Sequence, residues 1–76
     1  MKYTSRDYLD RMIAVAVEDG SIGEGEVLRI LEIHGSNNEG AMVDILSAIW
    51  QRRKDRKLLE NAQKVYKDYR SDRLDD

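Results

Sequence analysis

The sequence contains no cysteine, no proline and no phenylalanine, and it has a single histidine and a single tryptophan. Without cysteine the chain cannot form a disulfide or a thiolate metal site, and His34 alone cannot supply a pair of histidine ligands. The longest uninterrupted apolar run, residues 12–17, is far shorter than the roughly 20 residues that span a membrane. We therefore expect no metal, no cofactor, no membrane association and a cytoplasmic setting.

The sequence also lacks the patterns that carry catalysis. It has no glycine-rich phosphate loop and no nucleophile with a histidine partner, so we expect no enzymatic activity and no catalytic residue. A single domain of 76 residues has a thin core, and small domains are usually stabilised further by disulfides, a metal or a partner subunit. Since the first two are excluded, we expect a homodimer, with well-packed helices alone as the alternative.

The charges that are present divide the chain into two parts. Residues 1–50 contain four basic and nine acidic side chains, a net charge of −5. Residues 51–73 contain nine basic and four acidic side chains, a net charge of +5, and two aspartates close the chain. The sequence therefore predicts an acidic body over 1–50 and a basic C-terminal segment over 51–76, suited to self-association or to an acidic partner.

Helical spacing of apolar residues predicts an all-α domain of three to four helices. Thr4 and Asp7 form a capping-box pattern at the start of the first helix. Residues 12–17 are apolar nearly all round, which indicates a helix surrounded by neighbours or by a second chain. Their β-branched residues leave a β-strand as the alternative, although the sequence offers no second strand to pair with it.

The loop after the first helix resembles the second half of an EF-hand calcium loop, through Asp19, Gly20, Ile22 and Glu26. The same sequence pattern, D-G-x-I-x-x-x-E, occurs in helical domains of the tellurite-resistance TerB type, and the similarity is confined to these residues. In the EF-hand register the two leading ligand positions fall on Val15 and Val17, which have no side-chain oxygen. The interpretation that we prefer is structural, with Gly20 in a left-handed turn and Glu26 near a helix start.

Short polar residues and glycines predict the ends of the next two helices. The second helix is expected to start at Gly23 or at Ser21, with Gly23 as its cap in the first case, and Gly35 is expected to close it just after His34. Ser36 is expected to cap the third helix, with Glu39 as its capping-box partner.

The C-terminal half allows two arrangements. Residues 51–57 contain no helix breaker, and apolar spacing resumes after them. The chain either bends near Asp55 and packs a fourth helix back on the body, or residues 37–72 form one helix about 54 Å long. In the second arrangement the far end of that helix must bury its apolar stripe on another molecule.

We expect a non-enzymatic regulatory protein that docks on a larger partner, most simply a protein. Small cysteine-free chains of this kind are often phage or mobile-element inhibitors of host machines. The alternatives are a nucleic-acid-binding protein that uses residues 52–73, and a structural homo-oligomer. Trp50 is expected in the core or at its rim, where it could also anchor a partner. The residues expected to contact a partner are Trp50, Arg52, Arg53, Arg56, Lys57, Tyr66 and Tyr69.

Overall fold

The structure, a computed structural model, describes residues 3–18, 20, 22–52 and 56–74. These residues form four helices: α1 (Ser5–Glu18), α2 (Glu24–His34), α3 (Asn38–Arg52) and α4 (Arg56–Leu74). Within the described ranges there is no strand, so the predicted all-α fold is confirmed and the strand alternative for residues 12–17 is wrong.

The basic C-terminal helix is packed back on the acidic body. α4 lies against α1 and α3, while α2 lies against α3. One helix over residues 37–72 would be about 54 Å long, whereas the longest dimension of the molecule is 35 Å. The single-helix alternative is therefore wrong for this fold; the bend that we predicted near Asp55 lies outside the described residues.

A single hydrophobic core lies at the centre of the four helices and receives residues from each of them. The loop after α1 also contributes a fully buried side chain, Ile22. On α4 the buried positions recur every three or four residues, which turns one face of that helix toward the body. The buried residues are Tyr8, Leu9, Met12, Ala16, Ile22, Val27, Ile30, Ala41, Met42, Ile45, Ile49, Leu59, Ala62, Val65 and Tyr69.

The apolar run at residues 12–17 is covered by the chain's own helices. Met12 and Ala16 are fully buried, and Ile13, Val15 and Val17 are half-buried against the same core. Because α1 contacts both α3 and α4, neighbours flank this run on more than one side. The expectation of a helix with several neighbours is thus met within one copy of the chain.

Three of the predicted helix ends are confirmed. The Thr4 hydroxyl accepts the Asp7 N–H at 3.2 Å while Asp7 accepts the Thr4 N–H at 2.8 Å, a reciprocal capping box. Gly23 is the N-cap of α2, with extended backbone. Gly35 ends α2 with φ of 58°, a conformation that glycine adopts without the clash a Cβ would cause.

The predicted cap of α3 is wrong by one residue. Asn37, and not Ser36, caps this helix: its side-chain oxygen accepts the N–H of Gly40 at 3.0 Å, and α3 begins at the next residue. Ser36 instead belongs to the turn that Gly35 opens, in which the Asn37 N–H bonds the carbonyl of His34 at 2.9 Å. Glu39 accepts a hydrogen bond from Arg70 on α4 at 3.4 Å.

Candidate interaction surface

Trp50 lies on the outer face of α3 and is 59 % exposed. Its neighbour Ile49 is fully buried, and one residue along a helix turns the side chain by about 100°, which carries Trp50 away from the core. The expectation that Trp50 packs in the core or at its rim is therefore wrong. Val43, two helical turns earlier, shares this face and is 48 % exposed.

The basic residues that follow Trp50 are only partly accounted for by the structure. Arg52 ends α3 and Arg56 begins α4, and Lys57 is exposed in the first turn of α4. Arg53 lies outside the described residues. Arg52 lies about 200° around α3 from Trp50, on the side that faces α2. We therefore call Val43 and Trp50 alone the Trp50 surface.

Arg52 is already engaged with the acidic body. Its guanidinium donates a hydrogen bond to Glu26 on α2 and forms an ion pair with it. This hydrogen bond, with the attraction of the Glu26 carboxylate, raises the pKa of the Arg52 guanidinium, so its charge is permanent at any physiological pH. The Arg52 side chain remains 51 % exposed, so it can still be reached from solvent.

The two tyrosines of α4 lie in or against the core and not on the Trp50 surface. Tyr69 is 7 % exposed, and its ring centroid lies 5.8 Å from that of Tyr8 on α1. Tyr66 is half-buried beside it, with the two centroids 6.2 Å apart. Their rings are thus committed to packing, and Tyr69 in particular is not available to stack on a base or a partner side chain.

Tyr8 is the centre of a cluster that sequence reasoning missed. It contacts Tyr3 edge-on at a centroid distance of 5.9 Å, and the Arg11 guanidinium lies 5.5 Å from its ring. Its hydroxyl donates a hydrogen bond of 2.5 Å to Asp72, which is the main cause that raises the pKa of Tyr8 to about 12. The contacts with Asp72 and Tyr69 join residues far apart in the chain, so no local pattern could have indicated them.

Ion pairs connect the acidic body with the basic segment inside one molecule. Besides Arg52 and Glu26, Arg70 on α4 pairs with Glu39 on α3 at 3.4 Å. In a further pair the basic residue belongs to the body and the acidic one to the C-terminal segment: Arg11 on α1 lies 3.8 Å from Asp68 on α4. All three pairs are exposed, so each adds little stability. Some of the opposite charges that we expected to meet a partner are therefore paired within one molecule.

An open groove of about 680 Å³ lies along the surface between α2 and α3. Its walls include Glu26, Arg29 and Ile33 from α2 and Asp44, Ser47 and Gln51 from α3. Beside it, His34 and Asp44 are paired, with Nε2 and Oδ2 2.5 Å apart. His34, the last residue of α2, therefore links α2 to α3.

Within the described part of the chain, the fold brings no further ligands to the half calcium loop. Glu26, its terminal carboxylate, is paired with Arg52, while Asp19 lies outside the described residues. Among the residues that the structure describes, no three histidine, cysteine, aspartate or glutamate side chains form a group able to hold a metal ion. In the same residues no helix combines the length and apolar character needed to cross a bilayer.

No protein-family model, curated protein or solved structure matches this chain.

Proposed function

We propose that this chain is a non-enzymatic binding protein that docks on a larger protein through the Trp50 surface. The observation that carries the proposal is the 59 % exposure of the only tryptophan, on a helix whose neighbouring position is fully buried. Tryptophan and arginine are enriched among the residues that dominate binding energy at protein interfaces. Trp50 is such a residue, and the exposed Val43 lies on the same face of α3.

The exposed part of Trp50 is large enough to anchor a partner. Covering on the order of 120 Å² of apolar surface contributes about 3 kcal/mol before the cost of association. Val43, on the same face, adds apolar area. The complementary partner surface has an apolar pocket.

Docking of this kind acts by occlusion, because the chain offers a rigid surface and no reacting group. The chain would regulate its partner, or inhibit it, by covering a surface that the partner needs. No residue bears on the expected phage or mobile-element origin.

Protein is favoured over nucleic acid as the partner. Stacking on bases needs exposed aromatic rings, and Tyr69 is buried while Tyr66 packs against it. Arg52 and Arg70 are both paired with glutamates, which reduces the positive charge over residues 52–73. If nucleic acid were the partner, affinity would fall steeply with salt, with a log–log slope set by the number of phosphates contacted.

The test uses a matched pair of exposed apolar residues. Partners are captured from the native host by co-purification with mass spectrometry and then reassembled from purified components. We expect Trp50→Ala to weaken binding at least tenfold, and Leu28→Ala, which removes a side chain 62 % exposed on α2, to leave it unchanged. Circular dichroism confirms that both variants fold. Equal binding by Trp50→Ala and the parent chain would overturn the proposal, as would tight binding to duplex or single-stranded nucleic acid with a steep salt dependence.

A further inference from the structure

The helix α4 is attached to the body through one continuous face. Its buried side chains Leu59, Ala62, Val65 and Tyr69 all belong to the common core. Three polar contacts surround this face: those of Asp68 with Arg11, of Arg70 with Glu39 and of Asp72 with Tyr8. Each of these contacts joins α4 to α1 or α3, so an α4 from a second copy could make all of them unchanged.

The sequence between the two last helices places no obstacle to a continuous helix. α3 ends at Arg52 and α4 begins at Arg56. Residues 51–57 read Gln-Arg-Arg-Lys-Asp-Arg-Lys, without glycine, proline or asparagine, and all but the aspartate are good helix formers. Since the sequence of this connection contains no helix-ending residue, the burial of the apolar face of α4 on the body is what accounts for its return.

We propose that the partner suited to the α1 and α3 face is a second copy of this chain, which exchanges α4. In the exchanged dimer residues 38–74 of each copy form one helix about 55 Å long, and each α4 occupies the place of its counterpart. Exchange of an identical element needs no new interface, because every contact of α4 with α1 and α3 is formed again between chains. This inference goes beyond the proposed function, since it involves no other protein.

The balance between monomer and exchanged dimer depends on the structure of the connection and on the protein concentration. The monomer closes α4 within the same chain, which is favoured in dilute solution. The dimer adds helical hydrogen bonds at the connection in both chains, and it is favoured by high concentration during folding, when α4 of one chain meets the body of another. We expect monomer and dimer to be separable species after concentrated refolding.

Arg56 provides a substitution that discriminates between the two forms. As the first residue of α4 it occupies the helical position where proline is best tolerated. In a helix continuous through residue 52 the same proline would clash with the preceding turn and remove a hydrogen bond. Arg56→Pro is therefore compatible with the monomer and disrupts both long helices of the dimer, whereas Arg56→Ala removes the same charge and suits either form.

The experiment refolds the chain at millimolar concentration and measures mass by light scattering after gel filtration. We expect a dimer for the parent chain and for Arg56→Ala, and a dissociation constant raised about 100-fold or more by Arg56→Pro. In a dimer mixed from differently labelled chains, isotope-filtered spectra should show contact between the rings of Tyr8 and Tyr69 across chains, since these lie 5.8 Å apart in the monomer.

A chain that stays monomeric after concentrated refolding would overturn the proposal. A dimer that Arg56→Pro leaves intact would do so as well, and so would a dimer in which Tyr8 and Tyr69 touch only within one chain. Circular dichroism and the melting temperature of monomeric Arg56→Pro establish that the variant is folded. Loss of binding by Trp50→Ala has no bearing on any of these outcomes, so the two proposals fail separately.

Discussion

The hydroxyl of Tyr8, in the second turn of α1, bonds the carboxylate of Asp72 near the end of α4, across 64 residues of sequence. The bond links the two helices at the end of the molecule where α1 begins and α4 ends. The hydrogen bond is one of the polar contacts at the edge of the α4 interface, while the Tyr8 ring packs in the core beside Tyr69. One side chain therefore contributes to both the apolar and the polar attachment of α4.

Tyr8→Phe should destabilise the fold while keeping the ring contacts. We expect the melting temperature to fall by about 5 °C, the shift typical of one lost hydrogen bond in a domain of this size. Thermal unfolding followed by circular dichroism measures the change. Tyr3→Phe is the control, since Tyr3 is 64 % exposed, and an equal loss in the two variants would contradict the assignment.

Alkaline pH should weaken the same link. The raised pKa of Tyr8, about 12 against an ordinary value of 10, means that the fold favours the protonated hydroxyl. Its contribution to stability is complete below pH 10 and is lost as the pH rises through about 12. We expect a tyrosinate absorbance step near pH 12 that is missing in Tyr8→Phe. A parent chain with no such late step would show that the hydrogen bond to Asp72 is not formed in solution.

Asn37→Ala should cost about 1 kcal/mol of unfolding free energy, because it removes the cap on the Gly40 N–H. Ser36→Ala, one residue earlier, should change it by less than about 0.5 kcal/mol. Urea denaturation of the two variants compares the two residues directly. The reverse order would restore Ser36 as the cap of α3.

Gly35→Ala should destabilise the fold by about 1 kcal/mol, because a residue with a Cβ is strained at φ of 58°. Gly25→Ala is the matched change, in the first turn of α2, where an added Cβ meets no atom within 4 Å. That variant should gain about 0.5 kcal/mol, since alanine is the better helix former. We expect the urea midpoint to fall in Gly35→Ala and to rise in Gly25→Ala, relative to the parent chain. A stabilising Gly35→Ala would contradict the turn geometry.

Local chemistry was sufficient to predict most of the helix ends from the sequence. The Thr4 capping box, the Gly23 cap and the Gly35 turn each depend on residues within one helical turn, and all three are confirmed. Ser36 and Asn37 are both good caps and lie side by side, so the sequence could not distinguish them. The distinction depends on how the chain leaves the Gly35 turn.

The position of α4 and the exposure of Trp50 depend on contacts between distant parts of the chain. Residues 51–57 contain no signal that ends a helix, so the return of α4 is decided by the burial of Leu59, Ala62 and Val65. The apolar spacing of α3 suggested a core or rim position for Trp50. Helical spacing alone does not distinguish a buried residue at the edge of an apolar stripe from an exposed one. The ion pairs and the Tyr8 cluster likewise link segments that only the fold brings together.

The outward placement of Trp50 also makes the chain its own optical reporter. With one tryptophan, already wetted in the native state, ultraviolet emission should shift little when the protein is denatured. The same fluorophore should move to shorter wavelengths when another surface covers it. Intrinsic fluorescence is thus a poor gauge of unfolding here and a direct, label-free gauge of docking.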